Sequence, residues 1–208
     1  RAPRTKRKEA SAASDGYKRQ ELNISEQNIS LMMGGNTHSV FYPINKKKEL
    51  NMVCIIRSKK YDPDNIKSLI EEVVLKQNPS LKKLFDNDIK SWPLYFTPNI
   101  LPSTNKKVFF IGDAFNGFLP TLAQGAGQSI ESAYEIFTLL QKGKLDKNNT
   151  YFEERSRRAK IVRKRSNFNF FAFHFSSSIM QKIRNIFLKF LVKRKTFIHG
   201  YLGKVYKN

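Results

Sequence analysis

The apolar positions of the chain change their period several times. Between residues 28 and 57 they fall in three short runs, 28–33, 38–44 and 50–57, parted by Gly34-Gly35-Asn36 and by the polar stretch 45–49. Short apolar or alternating runs around a glycine-rich turn predict an antiparallel meander, with Lys46 to Lys48 as a solvated hairpin tip. At Asp62-Pro63-Asp64 the period lengthens. A cap residue, a proline near the first helical position, and Ile66, Leu69, Ile70, Val73 and Val74 on one face predict a helix that Asn78-Pro79 closes. A second short helix is expected through Leu81, Leu84 and Phe85, and then an extended segment over 89–97. There Pro93 argues for an edge or irregular strand.

From Lys106 onward the pattern changes again. Val108-Phe109-Phe110-Ile111 is a continuous apolar run of the kind buried on both faces of a sheet, and Gly112-Asp113 ends it. A loop over 115–121 follows. Gln124-Gly125-Ala126-Gly127 then opens a helix whose apolar face is predicted to hold Ile130, Ala133, Tyr134, Phe137 and Leu140, with Gly143 as its stop. A highly charged helix over 149–165 comes next. Beyond it an amphipathic helix over 179–192 sets Ile179, Ile183, Ile186, Phe187, Phe190 and Leu191 on one face. The phenylalanine-rich run between these two helices is expected to pack in the core. Residues 1–22 are basic, small and aperiodic, which predicts a disordered leader.

Composition adds a bias of charge. The 208 residues carry 38 Lys and Arg against 17 Asp and Glu, for a formal +21. After Glu154 no acidic residue follows, so the last 54 residues carry +15 of that total. A basic end of this kind suits nucleic acid, an anionic membrane surface or an acidic partner, and equally a general bias towards Lys, Asn, Ile and Phe. The aromatics of the basic helix segregate to its apolar face instead of interleaving with Lys and Arg, so nucleic acid is not expected. No segment is apolar for the ~18 residues a membrane span needs. Peripheral membrane contact through 179–195 remains open. The single thiol, Cys54, makes no internal disulfide and no Cys/His set has zinc spacing, so no metal is expected and a reducing, cytoplasmic location fits.

The chemistry lies in the glycine segment. A carboxylate at a strand end accepts hydrogen bonds from ligand hydroxyls, and glycines at 125 and 127 let a ligand approach the backbone. The helix start adds unpaired amides and partial positive charge, suited to a polyhydroxylated ligand with an electron-rich end. A plain turn and helix cap would account for the same residues. A pyrophosphate loop is excluded, because its third glycine position holds Ile130 and no strand directly precedes the glycines.

The order of residues over 108–133, VFFIGDAFNGFLPTLAQGAGQSIESA, resembles the second flavin-binding motif of the FAD-dependent aromatic-ring monooxygenases, of the salicylate and 6-hydroxynicotinate hydroxylase type. The runs 35–43, 92–95 and 198–201 look like flanking parts of that family, and the resemblance covers roughly 25–208. It implies that Asp113, after Gly112, accepts hydrogen bonds from the ribityl hydroxyls of FAD. Pro120 would lie beside the isoalloxazine ring, and the amides of Gly125, Ala126 and Gly127 would face its pyrimidine edge. His38 and Tyr42, four residues apart on a strand, share one face. In the resembling family that face looks into the substrate pocket, where Tyr42 would place a phenolic substrate and His38 would act as base.

Two positions depart from the family pattern: Asn116 stands where many relatives have His, and Ser132 where they carry Asp. The strand–GxGxxG–helix, the acid for the ribose and the Asp-Gly motif shared by flavin and nicotinamide are not found; Asp15-Gly16 lacks the pattern that should follow it. The expectation is therefore the C-terminal half of a flavoprotein that uses NADH or NADPH, FAD and O2 to hydroxylate a small aromatic substrate, with this part inactive alone. A basic membrane-surface or RNA-binding module, and a related halogenase or ring reductase, are the alternatives. The expected fold is α/β with α+β character. It comprises a basic leader (1–22), an antiparallel substrate-domain sheet (23–104), the C-terminal strand and helix of a Rossmann-like FAD domain (105–145) and a basic helical region (146–208).

Overall fold

The computed structural model describes residues 10–12, 28–44, 49–58, 61–85, 89–96, 108–144 and 148–206. Its contacts divide the chain into a sheet unit, Lys6–Leu94 with Phe171–Ile186, and a helical unit built mainly from Tyr95–Phe170 and Phe187–Asn208. Antiparallel sheet and helices together make the mixed α and β fold expected from the sequence.

In the sheet unit, strands β1 (Ala10–Ala12), β2 (Ser30–Gly34), β3 (Thr37–Ile44) and β4 (Glu49–Ile56) form one antiparallel sheet in the order β1-β4-β3-β2. The meander is thus observed, and Ala10–Ala12, inside the segment expected as a leader, pairs along β4. The predicted lysine tip at 46–48 lies outside the described residues. The turn between β2 and β3 places Asn36 at φ +59, a left-handed conformation that a short polar side chain tolerates. Gln77 clamps this turn: its Oε1 accepts from the Gly35 amide at 2.6 Å and its Nε2 donates to the Gly35 carbonyl at 2.9 Å. A Cβ on Gly34 would stand 2.8 Å from that same Oε1, so the clamp needs glycine there.

Side chains alternate across β3 and β4. One face gives Phe41, Leu50, Met52 and Cys54 to a core completed by Ile70, Val74, Leu81 and Leu84. Ile70 and Val74 come from helix α1 (Ile66–Ile70) and the π-helical turn Glu71–Leu75 that extends it. Asp62 starts that helix region, accepting from the Asp64 amide at 3.1 Å. Leu84 comes from helix α2 (Lys82–Phe85), after the 3-10 turn Pro79–Leu81.

On the opposite face His38, only 2 % exposed, meets Phe173 edge-on, and its Nδ1 lies 3.1 Å from Nε2 of His174. Burial first, and the neighbouring His174 second, lower the His38 pKa from 6.5 to about 3. His38 is therefore neutral above about pH 3 and meets His174 through one hydrogen bond.

The helical unit contains helices α3 (Gly125–Gln141), α4 (Asn148–Phe173) and α6 (Lys195–Tyr206); α5 (Ser178–Leu191) begins in the sheet unit. As predicted, Gly143 ends α3, at φ +60. Two expectations need correction. Val108 to Ile111 is extended but enters no ladder among the described residues, and Val108, Phe110 and Ile111 are exposed. The Phe110 carbonyl accepts from the Tyr151 hydroxyl at 2.9 Å.

The apolar face of α3 is turned outward: Ile130, Tyr134, Phe137 and Leu140 are 53–71 % exposed, whereas Gln128 and Ser132 are buried. The cause is Arg155 of α4. Its guanidinium donates to the Gln128 carbonyl and Oε1 at 3.1 and 2.9 Å and pairs with Glu131 at 3.2 Å and Glu135 at 3.6 Å. Burial raises the Glu135 carboxyl while Arg155 opposes that shift.

The predicted α5 stripe also faces outward. Arg184, on the other side of that helix, is buried and donates to the carbonyls of Ala172 and Phe173 at 3.1 and 3.4 Å. Those carbonyls end α4 and have no intrahelical partner. Phe168 and Phe171 of the phenylalanine-rich run, expected in the core, are exposed too, although Phe173 packs on His38.

Two outcomes follow for stability. Because His38 binds no proton in the fold above about pH 3 but binds one when unfolded below 6.5, stability is full above 6.5 and falls as pH drops towards 3. The limiting slope is about 1.4 kcal/mol per pH unit. Urea midpoints measured from pH 7 to 4 should show this loss, and His38→Gln should flatten it; an unchanged slope would remove His38 as its cause. Arg155→Ala should cost roughly 2–4 kcal/mol in the same assay, below the full value for a buried pair because its acidic partners keep some solvent. Arg155→Lys should recover little, lacking the forked donors.

Candidate functional site

All six residues expected at a flavin, Gly112, Asp113, Pro120, Gly125, Ala126 and Gly127, lie in the helical unit. The segment leaves Ile111 in extended conformation and turns at once into a 3-10 turn, Gly112–Ala114. Gly112 sits at φ +58, and its carbonyl accepts from the amides of Phe115 at 3.0 Å and Asn116 at 2.9 Å. A Cβ there would stand 2.7 Å from Oγ of Ser129, so both conformation and space require glycine. Asp113 is carried outward on this turn, exposed.

Ser129 joins the two halves of the motif. Packed against Gly112, it also donates from Oγ to the Gly125 carbonyl at 2.9 Å, fixing the Gly112 turn beside the first turn of α3. Gln124 stands at the N-cap without a side-chain cap bond. Among the described residues nothing lies within 4 Å of a would-be Cβ on Gly125, and only Oε1 of Gln124, at 3.7 Å, near one on Gly127. The backbone at the helix start is thus open to a ligand.

Between these parts the chain makes a second 3-10 turn, Pro120–Leu122, and leaves it through Ala123 at φ 52. Few alanines hold a left-handed conformation, and the turn leading to this one is anchored at Thr121. The Thr121 hydroxyl donates to the Ser166 carbonyl at 2.7 Å, and Asn169 donates to the Thr121 carbonyl at 3.4 Å. Asn169 in turn accepts from the Tyr201 hydroxyl at 2.7 Å. Pro120 is therefore placed by α4 and α6 through hydrogen bonds at its neighbour.

Asn116, the departure from the family pattern, is buried and accepts from Arg163 through Oδ1, while its Nδ2 has no partner. Ser132 is buried and bonds back to the Gln128 carbonyl at 2.7 Å. It is thus a residue of the α3–α4 packing and not of an exposed helix surface. Beneath the motif the Tyr151 ring packs on Phe109 and Phe115, and burial raises its phenol pKa.

These residues fit the isoalloxazine and ribityl end of a flavin. An exposed carboxylate on a glycine-enforced turn accepts hydroxyl protons, and an uncapped helix start bounded by open glycines presents amides and partial positive charge.

His38 and Tyr42 lie in the sheet unit, on the same face of β3. Tyr42 is half-buried, opposite Asn51 in the register. His38 is enclosed by Phe173 and His174, so its polar contact is with the chain itself. Pattern reasoning missed Ser129, Thr121, Arg155, Arg163 and Asn169. Each acts through a hydrogen bond to an atom distant along the chain, which leaves no periodic mark.

No family model matches the chain. Over 68 residues it is 38% identical to hispidin-3-hydroxylase of Neonothopanus nambi, a match over 32% of this chain and 16% of that protein. Over 167 residues it is 26% identical to a 3-amino-4-hydroxybenzoate 2-monooxygenase of Streptomyces platensis, covering 76% of this chain and 42% of the relative. Among solved structures, a salicylate hydroxylase in complex with its substrate superimposes with a TM-score of 0.63 at 17% identity, over 90% of this chain and 53% of that one. HpxO of Klebsiella pneumoniae, solved with FAD and uric acid, gives 0.67 at 12% identity, over 98% and 55%. The chain thus spans less than half the length of these curated relatives and about half that of the solved structures. In sequence the chain is thus similar, over part of their length, to aromatic hydroxylases and monooxygenases, and it shares the fold of salicylate hydroxylase and of HpxO, solved with FAD.

Proposed function

We propose that these residues form the C-terminal part of a flavoprotein monooxygenase that uses NADH or NADPH, FAD and O2 to hydroxylate a small aromatic substrate. The observation that carries this reading is the joined pair of turns, Gly112-Asp113 held by Ser129 against the glycine start of α3.

When bound there, FAD supplies the oxygen chemistry, and the protein supplies placement and electrostatics. Asp113 accepts hydrogen bonds from the ribityl hydroxyls. Amides of Gly125, Ala126 and Gly127 face the electron-rich pyrimidine edge, and the start of α3 stabilises negative charge there by ~0.3–1 kcal/mol. Pro120, set by Thr121 and its partners on α4, gives the ring a fixed wall. Tyr42 orients the aromatic substrate.

Neither Asn116 nor His38 moves a proton in this scheme. An amide has none to exchange at neutral pH, and His38 stays neutral. His38 acts as a positioning residue that fixes β3 below Tyr42. Substrate ionisation then depends on the phenol's own acidity and on solvent.

The 208 residues alone should bind FAD more weakly than about 1 µM, since they hold one end of the cofactor and no pyrophosphate loop was found. Isothermal titration tests this, and sub-micromolar binding would contradict the division of labour proposed. Asp113→Ala should weaken FAD binding by roughly tenfold, the loss of a charge-assisted hydrogen bond. In the whole flavoprotein, an aromatic substrate should accelerate NADH or NADPH oxidation and gain one oxygen atom by mass spectrometry. Oxidation that no aromatic compound stimulates would defeat the reading.

A further inference from the structure

Helix α5 turns its apolar residues away from the protein. Ile179, Ile183, Ile186, Phe187 and Phe190 form one stripe at helical spacing and are 55–73 % exposed. A lone misplaced side chain would need no explanation, but five on one stripe do. Their orientation is enforced from the other side of the helix. Arg184 bonds the final carbonyls of α4, and Gln181 donates to the Phe175 carbonyl at 2.9 Å, so the helix cannot roll its stripe inward without leaving those carbonyls unpaired.

The charges beside the stripe identify what covers it. Lys182 and Lys189, seven residues apart, lie along one flank and are exposed, and Lys193, Arg194 and Lys195 continue from the helix end. The Arg194 guanidinium lies 4.2 Å from the centre of the Phe190 ring, joining cation and apolar stripe. No acidic residue occurs after Glu154, so nothing on this helix or beyond it would repel an anionic surface. At 14 residues α5 is about 21 Å long, and no described helix is long and apolar enough to cross a bilayer. Exposed aliphatic and phenylalanine residues bordered by lysines suit a helix lying in the plane of a lipid headgroup layer.

We propose that α5 docks on an anionic lipid surface, with its Ile and Phe side chains entering the acyl boundary and its lysines contacting acidic headgroups. The inference rests on the reading of these residues as part of a longer flavoprotein in which the stripe stays exposed. It is tested by flotation of the whole protein with vesicles of phosphatidylcholine alone and with 40 mol% phosphatidylglycerol across a salt series.

Binding at physiological salt is expected only with phosphatidylglycerol and should weaken as salt rises. Phe187→Asp should reduce it at least tenfold, and Lys182→Gln with Lys189→Gln should reduce it roughly fivefold per lysine. All three substituted side chains are exposed, so circular dichroism and urea midpoints should match the parent chain. No binding to the anionic vesicles, or binding that Phe187→Asp leaves intact, would overturn the proposal. So would sedimentation showing a dimer that Phe187→Asp dissolves, which would assign the stripe to a second copy, or tighter binding to single-stranded RNA than to the vesicles.

Discussion

Two buried guanidinium groups determine which way the helices of this protein face. A helix end leaves carbonyls without partners, and a buried carbonyl or carboxylate without a donor costs about 1–3 kcal/mol, more when it is charged. Arg184 answers the end of α4, and Arg155 answers Gln128 and two glutamates of α3. In each case the polar side of an amphipathic helix is drawn inward.

This explains which parts of the fold could be read from the residues. The meander, its glycine turn, the Asp62 start of α1 and the Gly143 stop of α3 follow from local chemistry, because cap and turn residues act within a few positions of themselves. Which face of α3 or α5 packs inward does not. The 3.6-residue period of Ile130, Tyr134 and Phe137 announces an amphipathic helix without saying what lies on either side. Arg155 and Arg184 sit in highly charged sequence, and nothing in their neighbourhood marks them as buried. Likewise Val108 to Ile111 has the composition of a buried strand, yet a strand is completed by neighbours, and the described residues provide only the Tyr151 hydroxyl.

The candidate site divides in the same way. Gly112, Asp113 and the glycines of α3 were legible through the resemblance, and the structure gives their order a physical reason in the φ of Gly112 and the reach of Ser129. The supports of Pro120 were not legible, since Thr121, Ser166, Asn169 and Tyr201 are spread over 80 positions of sequence. His38 shows the limit of residue type as a guide. A histidine on a strand four residues from a tyrosine suggests acid–base chemistry, whereas its enclosure by Phe173 and His174 makes it a neutral link between β3 and the end of α4.

The clamp of Gln77 on the turn at Gly35 has a consequence for the order of assembly. A hairpin closed by a short turn can form in about 1–10 µs, before distant parts of a chain have met. Here the turn's backbone amide and carbonyl find their partner 42 residues away, on the segment that follows α1. Strands β2 and β3 can pair early, but their turn is locked only once that segment has docked across the sheet. Hairpin and helix then lose their freedom together, which ties a local contact to a non-local one and makes the sheet unit close as a single cooperative step.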